Sequence, residues 1–294
     1  MKYISVSEAA KKWNISERSV RNYCASGRVS GARLAGKVWT IPENVEKPKR
    51  VTRSDKKKTL LDVLREEKSA RLSGGIYHKI QIDLTYNSNH IEGSRLTHDE
   101  TRYIFETNTI GITKGVINVD DIIETSNHFR CIDSIIENAE KALTESYIKE
   151  LHFLLKTGTS DARRDWFRVG EYKKLPNEVG GIDTTAPDDV KGEMKALLSS
   201  YNKKETVTFE DIISFHVAFE RIHPFQDGNG RVGRLIMFKE CLKHNITPFI
   251  IDEEHKMFYY RGLKEWHSER GYLLETCLSA QDKFKTVISK FAII

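Results

Sequence analysis

His223-Pro224-Phe225-Gln226-Asp227-Gly228-Asn229-Gly230-Arg231-Val232-Gly233-Arg234 gathers an imidazole, a carboxylate, a glycine-rich turn and two guanidinium groups in one short run. Upstream, Ile212, Phe215, Phe219 and Ile222 recur at helical spacing over Phe209 to Ile222, and Pro224 disfavours further helix, so a helix is expected to end at His223. Downstream, Gly228-Asn229-Gly230 permits the positive backbone angles of a tight turn, and the apolar segment Leu235-Ile236-Met237-Phe238 follows, so the turn is expected to open a second helix. This helix, loop, helix reading sets the class of the larger part of the chain as mainly α.

The same residues suggest chemistry. Amides of the turn and a helix N-terminus favour negative charge. Arg231 and Arg234 are three apart, so on that helix they share a face and can grip outer phosphate oxygens. Asp227 offers the hard oxygen that Mg2+ takes alongside water and substrate phosphates. His223 is suited to act as general base toward a hydroxyl nucleophile, although a helix C-terminus favours its protonated form. The plainer alternative is a loop between two core helices, with a hydrogen-bonded histidine and arginines on a solvated face.

The run resembles the motif HPFx(D/E)GNGRxxR of the Fic family at every defined position. The resemblance implies an all-helical domain that transfers AMP from ATP to a hydroxyl side chain of a target protein, releasing pyrophosphate. It implies His223 as base, Asp227 as Mg2+ ligand, Gly228, Asn229 and Gly230 as the phosphate cradle, and Arg231 and Arg234 as phosphate clamps. Relatives that transfer other groups depart from this motif, for example with lysine at the place of Gly230, so its intactness favours adenylyl transfer.

Far upstream, Ser88-Asn89-His90-Ile91-Glu92-Gly93 sets Ser88 and Glu92 four apart on one helical face, with Gly93 suited to end the helix and Ile76, Tyr77, Ile80, Leu84 and Ile91 as its apolar stripe. Glu92 can be an ordinary helix-terminal carboxylate. The segment also resembles the (S/T)xxxE(G/N) inhibitory signature of Fic proteins. That likeness implies that Glu92 pairs with Arg234, holding the outer-phosphate clamp and keeping resting activity low. It further implies that Glu92 can serve AMP removal, a reaction opposite to transfer.

Between the motifs, Val169 to Lys174 and Val179 to Ile182 flank a polar turn at Pro176-Asn177 and read as a short hairpin. A plain surface hairpin is one reading. The other is the Fic flap, which it resembles and which pairs with target backbone by strand addition; Gly170, Tyr172, Lys173, Val179, Gly180 and Gly181 would then dock the target. Lys173 stands where many relatives have arginine.

The N-terminus differs in character. Ser5-Val6-Ser7-Glu8 is a capping box before a short helix with Ala9, Ala10 and Trp13 inward, and Ser16 caps a second helix from Glu17 to Ala25. Val29 to Ile41 reads as a two-stranded wing about Ala35-Gly36-Lys37. The pattern resembles the small winged helix-turn-helix of excisionase and MerR-type DNA-binding domains. By that likeness Arg18, Ser19, Arg21 and Asn22 enter the major groove, while Arg33 and Lys37 meet phosphates.

Residues 1–60 hold 15 Lys+Arg against 5 Asp+Glu, so the +5 of the whole chain leaves residues 61–294 near −5. Cationic charge is concentrated where a polyanion would bind, although a solvated basic face or a protein-docking domain has the same balance.

At 294 residues, 39% hydrophobic and 30% charged, the chain has room for one large core and a small satellite. The expected division is a winged helix-turn-helix over 1–46, a polar linker over 47–59 and a Fic domain over 60–294 that includes an inhibitory helix around 76–93. Thr97 to Glu100, Asp120 to Leu143, Ser146 to Leu155, Lys256 to Tyr260 and Leu274 to Phe284 supply further helical patterns. Tyr259 and Tyr260 suit either the core or a nucleotide base.

Cys24, Cys131, Cys241 and Cys277 have no metal-site spacing, and no segment reads as a signal or a membrane span, so a reducing cytoplasm is expected. Family likeness adds possible assembly into homo-oligomers. The leading expectation is a self-restrained protein adenylyltransferase with a DNA-binding head. The alternatives are a transcription regulator that senses nucleotide, and an enzyme that removes AMP through Glu92.

Overall fold

The computed structural model describes residues 2–36, 38–48, 58–111 and 115–291. The chain divides into two compact units, Met1–Lys57 and Lys58–Ile294. Most of the expected linker, 49–57, and Lys37 of the wing lie outside the described residues.

In the first unit, β1 (Tyr3–Ser5) leads directly into α1 (Val6–Trp13) through a capping box in which Ser5 and Glu8 satisfy each other's orphan amides. Asn14, in the left-handed region at φ 52°, turns the chain into α2 (Glu17–Ala25), which Ser16 caps. Strands β2 (Arg33–Ala35) and β3 (Val38–Pro42) form the expected wing. β1 adds to it as a third antiparallel strand, order β1-β3-β2, with Ile4 opposite Ile41. That strand was not legible, because three residues before a cap carry no periodicity. Val6, Ala9, Ala10, Trp13, Val20, Cys24, Val29 and Ile41 form the core of this unit.

The second unit runs α3 (Leu60–Ala70), α4 (Ile76–Ile91), α5 (His98–Thr107), α6 (Val119–Glu137), α7 (Glu145–Lys156), β4 (Glu178–Val179), β5 (Ile182–Asp183), α8 (Val190–Asn202), α9 (Phe209–Ile222), α10 (Asn229–Lys243), α11 (Glu253–Glu265) and α12 (Gly271–Ser289). α10 is buried on every side and packs against α4, α6, α7 and α9. It therefore behaves as a core helix rather than an amphipathic one. Its polar residues must find partners inside the protein.

Two expectations on elements need correction. The helix expected to run from Asp120 to Leu143 stops at Glu137, where the Asn138 side chain bonds back to the Ser134 carbonyl at 2.9 Å. The apolar pattern continued because Ala139 and Leu143 still face the core from the following turn. The hairpin also lies further along the chain, pairing Val179 with Ile182 about Gly180-Gly181 rather than about Pro176-Asn177. Both glycines have positive φ, 57° and 77°, as the tight hairpin turn compatible with strand twist requires. Residues 169–174 form no strand; of their amides, Lys173 N–H donates to the Pro224 carbonyl at 2.8 Å, in the loop that carries the motif.

All four cysteines are buried free thiols. No helix among the described residues is long and apolar enough to cross a membrane.

Candidate active site

His223 is the residue where α9 ends. Its backbone is left-handed at φ 47°, ψ 63°, a conformation that costs a non-glycine residue energy but throws the chain sharply into Pro224. Its Nδ1 lies 3.3 Å from the Glu220 carbonyl, so Nδ1–H donates there and Nε2 has no protein partner among the described residues. Burial holds the imidazole below its ordinary pKa and outweighs the Glu220 carbonyl, which acts the other way; the nearby Lys173 ammonium lowers it further. The helix-end effect that favours protonation therefore loses to desolvation, and the ring is neutral at pH 7, with an unprotonated Nε2.

Asn229 staples the loop. Its Oδ1 accepts from Phe225 N–H and its Nδ2 donates to the Phe225 carbonyl, both at 2.8 Å. The side chain is thus engaged within the loop, beside the glycines expected with it to cradle phosphate. Gly228, the N-cap of α10 at φ 82°, and Gly230 remain in the loop and first turn, with the positive end of the helix behind them.

Arg231 and Arg234, expected as phosphate clamps, are both buried, and each meets different protein partners. Arg231 donates to Glu124 of α6 and, at 3.2 Å, to Asp227. Arg234 donates through Nε to Ser88 Oγ at 3.0 Å, and through Nη2 to the Ser88 carbonyl at 2.9 Å and Glu92 Oε1 at 2.7 Å. A helix buried all round gives its guanidinium groups only protein partners, and these lie on different neighbours. Ser88 and Glu92, separated by one turn of α4, clamp one guanidinium, and Gly93 at φ 95° lets the chain leave the helix just after the carboxylate. An added Cβ at Gly230 would sit 2.2 Å from Glu92 Oε1 and 2.9 Å from Arg234 Nη1.

Asp227 keeps about half of its side chain exposed, at 49%. Burial of the rest raises its pKa, but Arg231 and Lys156 overcome that and hold the carboxyl well below the usual range. One accessible, permanently ionised carboxylate next to a glycine loop suits a hard divalent cation whose remaining ligands are water and phosphate oxygens. Among the described residues no cluster of three metal-binding side chains competes for that ion.

Several residues of the site carried no sequence signal. Lys156, at the end of α7, is 2% exposed and donates to Asp227 at 2.7 Å, to Asp161 at 3.1 Å and to Glu124. His152, one turn earlier, stacks on Phe225 at 4.0 Å with the rings 1° apart. Its Nδ1 accepts from Gly170 N–H at 2.9 Å and its Nε2–H donates to the Asp227 carbonyl at 3.1 Å. Burial pushes it down to about 3, so it remains a neutral bridge. Glu220 is a buried carboxyl pushed up to about 8 by burial, against the pull of Arg234. Tyr260 donates to the Ile91 carbonyl at 3.1 Å, tying α11 to the end of α4, while Tyr259 is in the core on His216.

The residues expected to dock a target separate into two groups. Gly170 and Lys173 face inward, and Tyr172 packs on Phe225 with its hydroxyl buried. Lys173 donates to Asn177 Oδ1 at 2.7 Å, to Thr184 and to the Ile222 carbonyl, so it fastens the base of the hairpin to the helix that ends at His223. Only Val179, Gly180 and Gly181 are exposed, on the β4–β5 hairpin itself. In the N-terminal unit, Arg18, Asn22 and Arg33 are exposed, Arg21 is paired with Glu17 at 3.0 Å, and the Ser19 hydroxyl is engaged with Ser16.

A helical fold around one buried helix, with a histidine, an acid and a glycine loop at its mouth, defines a class, and the comparisons agree with it. Residues 142–241 match the model of the Fic/DOC family. Curated relatives include the protein adenylyltransferase Fic of Aedes aegypti, 28% identical over 61% of this chain and 36% of its own length, and that of Culex quinquefasciatus, 26% identical over 76% and 44%. The chain thus spans about two fifths of the length of these relatives. Among solved structures, a Fic domain containing signaling protein from Bacteroides thetaiotaomicron is similar with a TM-score of 0.64 and 25% identity, covering 79% of this chain and 96% of the other. Fic-1 of C. elegans shares the fold at a TM-score of 0.62 and 17% identity, covering 78% and 69%.

Proposed function

We propose that the protein transfers AMP from ATP and Mg2+ to a hydroxyl side chain of a target protein, and that Glu92 restrains it. The observation that carries this reading is a neutral His223 with a free Nε2 on the same short loop as the ionised Asp227, while the Arg234 guanidinium is occupied by Glu92 at 2.7 Å.

His223 takes the proton of the incoming hydroxyl at Nε2 as that oxygen attacks the α-phosphorus. Asp227 holds the metal, which when bound offsets charge on the departing pyrophosphate. Amides at the start of α10 receive phosphate oxygens, and Arg234 receives the outer phosphate once Glu92 has released it. The exposed edge of β4–β5 presents the target backbone by strand addition.

The test is incubation with labelled ATP and Mg2+. Wild-type protein is expected to label itself and added extracts weakly, Glu92→Gly strongly, and Glu92→Gly with His223→Ala not at all. Strong label that survives loss of His223 would refute the mechanism. If Glu92 instead serves AMP removal, Glu92→Gly will lose the release of AMP from modified protein.

Exposed Arg18, Asn22 and Arg33, with the positive balance of residues 1–60, support a second role for the N-terminal unit as a duplex DNA binder. Affinity for duplex DNA should fall steeply as salt rises from 50 to 200 mM, on the order of tenfold or more, and Arg18→Ala and Arg33→Ala should each weaken it. Salt-independent or absent binding in gel-shift titrations would remove this role. Soluble expression in the cytoplasm belongs to the same reading.

A further inference from the structure

Lys156 is an almost fully buried ammonium held by three carboxylates that come from three different parts of the second unit. Glu124 lies on α6, Asp161 on the turn after α7, and Asp227 on the catalytic loop at 2.7 Å. Arg231 closes the ring by donating to both Glu124 and Asp227. Two cations thus face three carboxylates, and only Asp227 among those three keeps half of its side chain open to solvent. The excess negative charge of the ring is therefore presented at the mouth of the site, on a carboxylate whose second oxygen position is fixed from behind.

We propose that Lys156 is a positioning residue for the metal-bound triphosphate: by gripping Asp227 from the interior, with Glu124 and Asp161 holding Lys156 in turn, it aims one carboxylate at the metal. This inference rests on the transferase reading above and deepens it by assigning a residue that touches neither ATP nor target.

Two effects of opposite sign decide what removal of Lys156 does. A cation beside a metal ligand repels the metal, so its loss could tighten binding. It also orients the ligand, and loss of such outer partners weakens metal sites, typically by ~10–100-fold. Here the ammonium contacts two further carboxylates, so its charge is already compensated from behind and orientation is the effect that remains.

The experiment uses the full chain carrying Glu92→Gly and His223→Ala, which removes turnover, and measures ATP binding by calorimetry with Mg2+ and again in EDTA. Introducing Lys156→Met is expected to erase the Mg2+-supported gain in ATP affinity by about tenfold or more while the affinity in EDTA changes less than about twofold. A merely structural role would lower both together. Asp161→Asn, at a partly exposed position, is a milder variant and should reduce the Mg2+-supported gain without loss of thermal stability, which keeps the test decisive if Lys156→Met does not fold. An unchanged or larger Mg2+-supported gain in these variants, or no such gain in the parent, overturns the proposal. Label transfer by Glu92→Gly alone stands or falls separately, so failure here is distinguishable from failure of the transferase reading.

Discussion

His223 shows how a single residue can be chosen against local stability. Its left-handed backbone favours glycine, yet an imidazole is present. Two substitutions separate these demands, since His223→Gly and His223→Ala remove the same ring but differ in the backbone penalty. His223→Gly should be the more stable by about 1 kcal/mol in urea denaturation, with both variants inactive. Equal stability would mean that the loop relaxes out of the left-handed region once the ring is gone. His223, Asp227, Arg234, Ser88 and Glu92 were candidates from sequence because short motifs carry them, and the fold brings Arg234 onto Ser88 and Glu92. Lys156, His152 and Glu124 stayed hidden, since a lone lysine, histidine or glutamate in a helical stretch has no signature until folding brings distant segments together. Arg231 and Asn229 were visible, but their protein partners were not: spacing states which face a side chain occupies, and does not state what packs against that face.

At the scale of elements, helices with a capping box or long apolar periodicity were legible nearly to the residue. α9 runs over Phe209–Ile222 and α2 over Glu17–Ala25, as their caps and stripes indicate. α5 starts behind Thr97, whose side chain and that of Glu100 cap each other. Where apolar residues continue beyond a helix, as at Ala139 and Leu143, the pattern overruns the end, because burial does not require helical backbone. Short strands suffered most. β1 was missed, and the hairpin was displaced because the Pro176-Asn177 turn signal outweighed a paired glycine signal at 180 and 181. Residues 170–173 of the expected flap are joined to α7 and to the motif loop through His152 and Lys173.

Across the whole second unit, buried titratable groups set how stability follows pH. His128, His152 and His216 are pushed down to about 3 by burial, so from pH 6.5 down to about 3 the unfolded chain binds protons that the folded one refuses, and stability is lost as pH falls. Glu220, pushed up to about 8, acts oppositely: between its unfolded value and about 8 the folded chain holds the extra proton, and stability is lost as pH rises. His223 and His244 are also lowered by burial, so the histidines outweigh the single carboxyl and give a maximum near pH 6.5, with a fall of at least roughly 2 kcal/mol per pH unit on the acid side and a gentler one above it. Urea midpoints at pH 5.5, 6.5 and 8 check this, and Glu220→Gln should remove the fall between pH 6.5 and 8 while steepening the one below pH 6.5. A midpoint that rises steadily from pH 5.5 to 8 would contradict the assignment.

The crowded spot above Gly230 has a consequence for how such a chain can change over time. Any side chain introduced there meets the oxygen of Glu92 before it meets anything else. A mutation at that position would therefore reach the Glu92–Arg234 pair and the glycine loop in one stroke, whereas a change at Glu92 itself reaches the pair alone. The ion pair and the glycine loop are in this sense coupled at one position, through the absence of a single methyl group.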